Sequence, residues 1–142
     1  MFKYAMLLIF ILALPSAVHA QSSTYRCTFG EGVTTEWEHD KFNTQKASMS
    51  DPGAIMVFDQ IDTQKRTARM IGNAGADDVT AIQTAKTLSF IEISPSGNIF
   101  LTSIFTAMPT EDWRFPAVHS RHIHISEAAL IPQQYYGTCI AQ

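Results

Sequence analysis

Residues able to do chemistry are concentrated in one stretch of this chain. Phe115-Pro116-Ala117-Val118-His119-Ser120-Arg121-His122-Ile123-His124-Ile125 holds three of the five histidines, with an arginine among them. In a strand, side chains alternate between two faces, so His119, Arg121, Ile123 and Ile125 share one face and Ser120, His122 and His124 the other. The isoleucines mark the first face as the inner one. His119 and Arg121 are therefore expected toward the interior or mouth of the fold. There a guanidinium either binds a ligand carboxylate or pairs with an acid of the chain such as Glu92 or Asp59. A bulge in the strand would reverse this facing.

On the opposite face, His122 and His124 stand two residues apart and can both reach one metal ion, with His119 or His39 as a third ligand. Zinc takes three or four ligands, and no cysteine or carboxylate stands at a recognisable spacing from this pair. Solvent-exposed histidines are the simpler reading, and no cofactor is expected. Two tryptophans sit among charges, in Trp37-Glu38-His39-Asp40 and in Glu111-Asp112-Trp113-Arg114. Such residues serve as binding-site rims or as barrel caps. Trp113 thus joins His119 and Arg121 as a candidate binding residue. Ser96 lacks the Gly-x-Ser-x-Gly setting of an activated serine. The carboxylates are scattered, with no pair at a spacing suited to acid and base work. A non-catalytic protein is the leading expectation; a metal-dependent enzyme using His122 and His124 is an alternative.

The elements that must position these groups read as antiparallel β structure. From Thr24 onward, short runs rich in Val, Ile, Phe, Tyr and Thr are separated by Gly, Pro, Asn and Asp, without sustained helical periodicity. Strands are expected near Thr24–Phe29, Val33–Glu38, Ala54–Ile61, Arg66–Ile71, Val79–Thr84, Thr87–Ile93, Ile99–Ala107, Ala117–Ile125 and Tyr136–Ala141. The plainest hairpin is Leu88–Ile93 and Ile99–Phe105 joined by Ser94-Pro95-Ser96-Gly97-Asn98. Ile71–Asp78 reads as a flexible connection, Asp51-Pro52-Gly53 as the lead into a strand, and Ser126–Ile131 as one helical turn ended by Pro132. Gly137 would let a neighbouring backbone approach closely.

Residues 1–20 have the pattern of a secretory signal: Lys3 near the start, an apolar run Tyr4–Leu14, Pro15, then Ala17-Val18-His19-Ala20 before the expected cut at Ala20/Gln21. The apolar run is shorter than the roughly 20 residues needed to span a bilayer, so no stable membrane insertion is expected after cleavage. Residues 21–142 then form a single domain, periplasmic or secreted. Without Lys3 the chain keeps nine Lys and Arg against thirteen Asp and Glu, a formal net charge of −4. No nucleic-acid partner is expected from that balance. Cys27 and Cys139, an even pair in an exported chain, are expected to form a disulfide.

That bond would bring the first and last strands together, since it requires their Cα atoms within about 7 Å. The expected fold is all-β: an antiparallel meander closing into a small lipocalin-like or inhibitor-like barrel of about eight strands, with a two-sheet sandwich as the alternative.

Phe115-Pro116-Ala117-Val118-His119-Ser120-Arg121-His122, together with Pro132-Gln133-Gln134-Tyr135-Tyr136-Gly137-Thr138-Cys139, resembles a group of small, exported, uncharacterised proteobacterial proteins. The resemblance implies a bacterial periplasmic or secreted setting and no particular activity. Tyr25-Arg26-Cys27 and Ser94-Pro95-Ser96-Gly97 are also similar to the barrels that inhibit C-type lysozyme, although the tryptophan-, lysine- and glycine-bearing loop of those inhibitors has no counterpart here. The leading expectation for function is a binding module for a small molecule or an envelope protein. An inhibitor of a hydrolase such as lysozyme, acting through the Ser94–Asn98 turn, is the second.

Overall fold

A computed structural model of the chain describes residues 23–50, 54–126 and 129–142. Residues 1–20, with the expected secretory signal and its cut, the Asp51-Pro52-Gly53 lead and residues 127–128 of the expected helical turn lie outside them. The described residues form β1 (Tyr25–Glu38), β2 (Lys41–Ser48), β3 (Ile55–Asp62), β4 (Thr67–Gly72), β5 (Gly75–Gln83), β6 (Leu88–Ile93), β7 (Ile99–Ile104), β8 (Phe115–Ser126) and β9 (Ala129–Ala141). All neighbours are antiparallel, in the order β2-β1-β3-β4-β5-β6-β7-β8-β9, and β9 pairs back onto β1. Eight strands therefore close a barrel, with β2 as an extra strand, and the closure decides against a sandwich. Cys27 and Cys139 face each other in register across the closing seam and are bonded.

The inner face follows from period-two alternation. Leu88 and Phe90 on β6, Ile104 on β7, Met56 and Phe58 on β3, and Val79 and Ala81 on β5 are buried, while their sequence neighbours are half-buried or exposed. Phe58 and Phe90 stack with ring centres 4.0 Å apart across the barrel interior. Burying such side chains contributes about 1.5–3 kcal/mol each.

The seam between β1 and β9 carries a bulge. Phe29 faces Gly137 and Gly32 faces Tyr135, so β1 spends one more residue than β9 between these pairs. Inward facing on β1 thus passes from odd positions (Cys27, Phe29) to even ones (Gly32), all three buried. Each seam glycine lies opposite an aromatic ring. A Cβ on Gly137 would stand 2.8 Å from Phe29 Cδ1 and 2.9 Å from its Cα, the close backbone approach expected at this position. Beyond the bulge β1 leaves β3 and pairs with β2, turning at His39 and Asp40, both at positive φ as a tight two-residue hairpin requires. Val33–Glu38 and Thr24–Phe29 are consequently one bent strand.

Three further expectations are corrected. Ala129–Ile131 belong to β9 and not to a helical turn, because the β8–β9 hairpin pairs continuously through Ile123–Ile131 and Pro132–His122. The β4–β5 connection is a tight turn at Asn73-Ala74, with Asp77 and Asp78 already paired on β5. Ile125 is 66% exposed, because β8 has outrun the barrel by then: β7 begins opposite His122. The β1–β2 and β8–β9 hairpins both extend past this rim, joined through Gly32–Thr34 and Gln133–Tyr135, as a four-stranded overhang at one end of the barrel.

Candidate functional site at the barrel mouth

The pairing registers stack the interior into rows whose polarity rises toward the overhang. Above the row of the disulfide, one row runs Leu88, Ile104, Ala117, Gly137 and Phe29; the next runs Phe90, Thr102, His119, Tyr135 and Gly32. The third, at the mouth, runs Glu92, Phe100, Arg121, Gln133 and Thr34. Apolar residues thus give way to two polar groups in the second row and to charges in the third. A cavity of about 160 Å³ opens here, lined by Met56, Met70, Asp77, Glu92, Phe100, His119 and Arg121 among others. Its size corresponds to about five water molecules.

His119 is 2% exposed and held on both ring nitrogens. Arg121 Nε donates to His119 Nε2 at 3.1 Å, and the Thr102 hydroxyl lies 2.8 Å from Nδ1. A guanidinium N–H can only donate, so Nε2 must offer its lone pair and the ring proton must sit on Nδ1, where Thr102 Oγ1 accepts it. Burial, reinforced by the adjacent Arg121 charge, pushes the imidazole pKa down to about 3. His119 is therefore a neutral ring that accepts a hydrogen bond from the arginine.

Arg121 is steered by two further contacts. Its guanidinium carbon lies 5.3 Å from the centre of the Tyr135 ring, and Nη2 donates to the Met49 sulfur at 3.8 Å. Among the described residues no carboxylate lies within ion-pair distance of it. Asp59 is taken by Arg69 through two hydrogen bonds of 2.9 and 2.6 Å. Glu92 is kept apart from Arg121 by register: Phe100, on the intervening strand, pairs with both. Glu92 has its carboxyl pKa raised, first by burial and then by the like charge of Asp77, against a lowering pull from Arg121.

The sequence-predicted residues are only partly brought together. His119 and Arg121 meet on the inner face as the alternation predicts. His122 and His124 stand exposed on the outer face of the same strand, away from His119, and His39 is at the β1–β2 hairpin tip. Among the described residues no three His, Cys, Asp or Glu side chains are placed to hold a metal ion. Trp113 lies in the β7–β8 connection at the other end of the barrel, 74% exposed. From Phe115, where β8 begins, to Arg121 the strand runs about 20 Å, so Trp113 does not join this site. Trp37 packs edge-on against Phe42 in the overhang, ring centres 4.6 Å apart.

Asp77 and Phe100 line the same cavity and Met49 touches Arg121, and nothing in the sequence singles them out. Asp77 falls in a stretch that reads as a flexible connection, and Phe100 reads from sequence as one more core residue of the β6–β7 hairpin. Glu92 had a detectable signal: it continues the inward period of Leu88 and Phe90 with a charged residue. Comparison with family models, with curated proteins and with solved structures finds no match, so the functional argument rests on this geometry.

Proposed function

We propose that this protein is an exported, non-catalytic binding barrel whose mouth receives the acidic group of a small molecule on Arg121. One observation carries the reading: Arg121 is held in place by a neutral histidine, a tyrosine ring and a methionine sulfur, and meets no carboxylate among the described residues. A structural arginine would be expected to end on an acid of its own chain; one oriented by uncharged groups keeps its charge for a ligand. The disulfide is compatible with the oxidising compartment that export supplies.

Titration with propionate, followed by the Arg121 Nε–H resonance in ¹H–¹⁵N spectra, tests the site. A saturable shift there and in the backbone amides of Glu92, Phe100 and Arg121, the shifts of the Glu92 and Phe100 amides being lost in a folded Arg121→Gln variant, is the expected result. An Arg121 resonance that stays fixed into the high millimolar range removes the assignment.

A second reading, a rim loop that blocks a hydrolase, has one observation in its favour. The Ser94–Asn98 turn is ordered by its own polar groups: Ser94 and Ser96 hydroxyls 2.8 Å apart, Asn98 Nδ2 donating to Ser96 at 3.1 Å, and Gly97 N–H donating to the Ser94 carbonyl at 2.9 Å. Asn98 Oδ1 also accepts from the His124 amide, tying this exposed turn to the overhang. On this reading the protein slows C-type lysozyme in a turbidity assay, and replacing Ser96 and Asn98 by alanine relieves the inhibition. Undiminished lysis with the inhibitor in large excess rules that enzyme out as its target.

A further inference from the structure

The mouth is charged on opposite sides, and this constrains what Arg121 can receive. Glu92 and Asp77 line the cavity from β6 and β5, while Arg121 lines it from β8. Glu92, Phe100 and Arg121 occupy one row, so the Glu92 and Arg121 backbones stand about 10 Å apart, two strand spacings, with the Phe100 side chain between them. Glu92 and Arg121 are not neutralised by an ion pair or hydrogen bond to each other, and the side chains of Asp77 and Glu92 make no hydrogen bond or ion pair among the described residues. A purely anionic ligand on Arg121 would lie close to two acids, which opposes it. A purely cationic ligand at the acids would face the guanidinium.

We infer that the occupant is a small zwitterion, its carboxylate on Arg121 and its ammonium toward Glu92 and Asp77 across the face of Phe100, with free α-amino acids as the plainest class. The cavity, about 160 Å³ and open at the mouth, has room for the backbone atoms of one such molecule. The ligand's side chain would leave toward the overhang, where Gln133 follows Arg121 in the row. This inference rests on Arg121 being a ligand site, and goes beyond it in assigning Glu92 and Asp77.

The test uses the disulfide-bonded protein and three probes in parallel by ¹H–¹⁵N titration: L-alanine, propionate and ethylamine. L-alanine is expected to bind more tightly than either of the others by about tenfold, the worth of one added charge-assisted hydrogen bond. Glu92→Gln is expected to remove most of that advantage, weakening L-alanine while tightening propionate, which no longer faces that acid; Arg121→Gln removes both. The dispersion of each variant's spectrum reports that it is folded. If propionate binds as well as L-alanine, the zwitterion assignment is overturned and the Arg121 site stands. If neither binds, both fall. If L-alanine binds equally well to Glu92→Gln and to Asp77→Asn, the acids are not its partners and the assignment is overturned.

Discussion

Protonating His119 would set a second positive charge against Arg121 and end the hydrogen bond that orients it, so acid acts on this site through one ring. The folded pKa is about 3, against about 6.5 for an unhindered histidine. As pH falls, the unfolded chain takes up the proton first. The stability this depression contributes is complete above about pH 6.5 and declines by about 1.4 kcal/mol for each pH unit below it, until about pH 3. Urea unfolding midpoints measured from pH 7 to 5 should fall in the native protein and fall less steeply in His119→Gln. Equal slopes would mean that His119 is not buried as a neutral group. Glu92 works in the opposite direction. Its raised pKa means that the folded state holds the proton more tightly, so its contribution is present at low pH and lost as pH rises through the folded value. Glu92→Gln should therefore raise the unfolding midpoint at pH 7 and change little below about pH 4, where the native carboxyl is already protonated. At this scale the sequence was a partial guide. Alternation along one strand is enough to put His119 and Arg121 on the same inward face. It does not reveal that Phe100 parts Arg121 from Glu92, because that depends on the registers of three strands at once.

Among the elements, the β6–β7 hairpin was readable because Pro95 and Gly97 interrupt two runs with strong alternation, and its strands pair as expected from Ile93–Ile99 to Leu88–Ile104. β2 was invisible for the opposite reason. Of Lys41–Ser48 only Ala47 is better than exposed, so neither face carries an apolar signal and the strand is held by its pairing with β1. The one-residue bulge was equally hidden, and it converts two expected strands into a single bent one. The seam beside it makes the sharpest prediction at this scale. A methyl group at position 137 would collide with the Phe29 backbone and ring, atoms with no freedom to withdraw. Gly137→Ala should cost about 3 kcal/mol in urea unfolding. A cost within experimental error would show that β1 and β9 separate more readily than their register implies.

For the molecule as a whole, barrel closure and the disulfide are one arrangement. The bond joins positions 112 residues apart in sequence that are direct neighbours in the sheet. Replacing Cys27 and Cys139 together by serine should cost about 2–5 kcal/mol, read as a lower urea midpoint, with the unreduced native protein as reference. Closure was legible because two cysteines on the first and last strands leave a single pairing. Which end of the barrel each loop occupies was not: local composition sets Trp113 beside His119 and Arg121, whereas the fold puts it at the opposite end. The same seam ends in reciprocal hydrogen bonds between Thr24 and Gln142, N–H to carbonyl in both directions at 3.4 and 2.8 Å. These two residues lie at the pole opposite the overhang. In a chain cut back to Thr24–Gln142, a linker of only a few residues would join the two, and opening the chain between His39 and Asp40 would give a circularly permuted barrel. Equally, a tether placed at Gln142 would fix the protein to a surface with its mouth facing outward, so that immobilisation need not block the cavity.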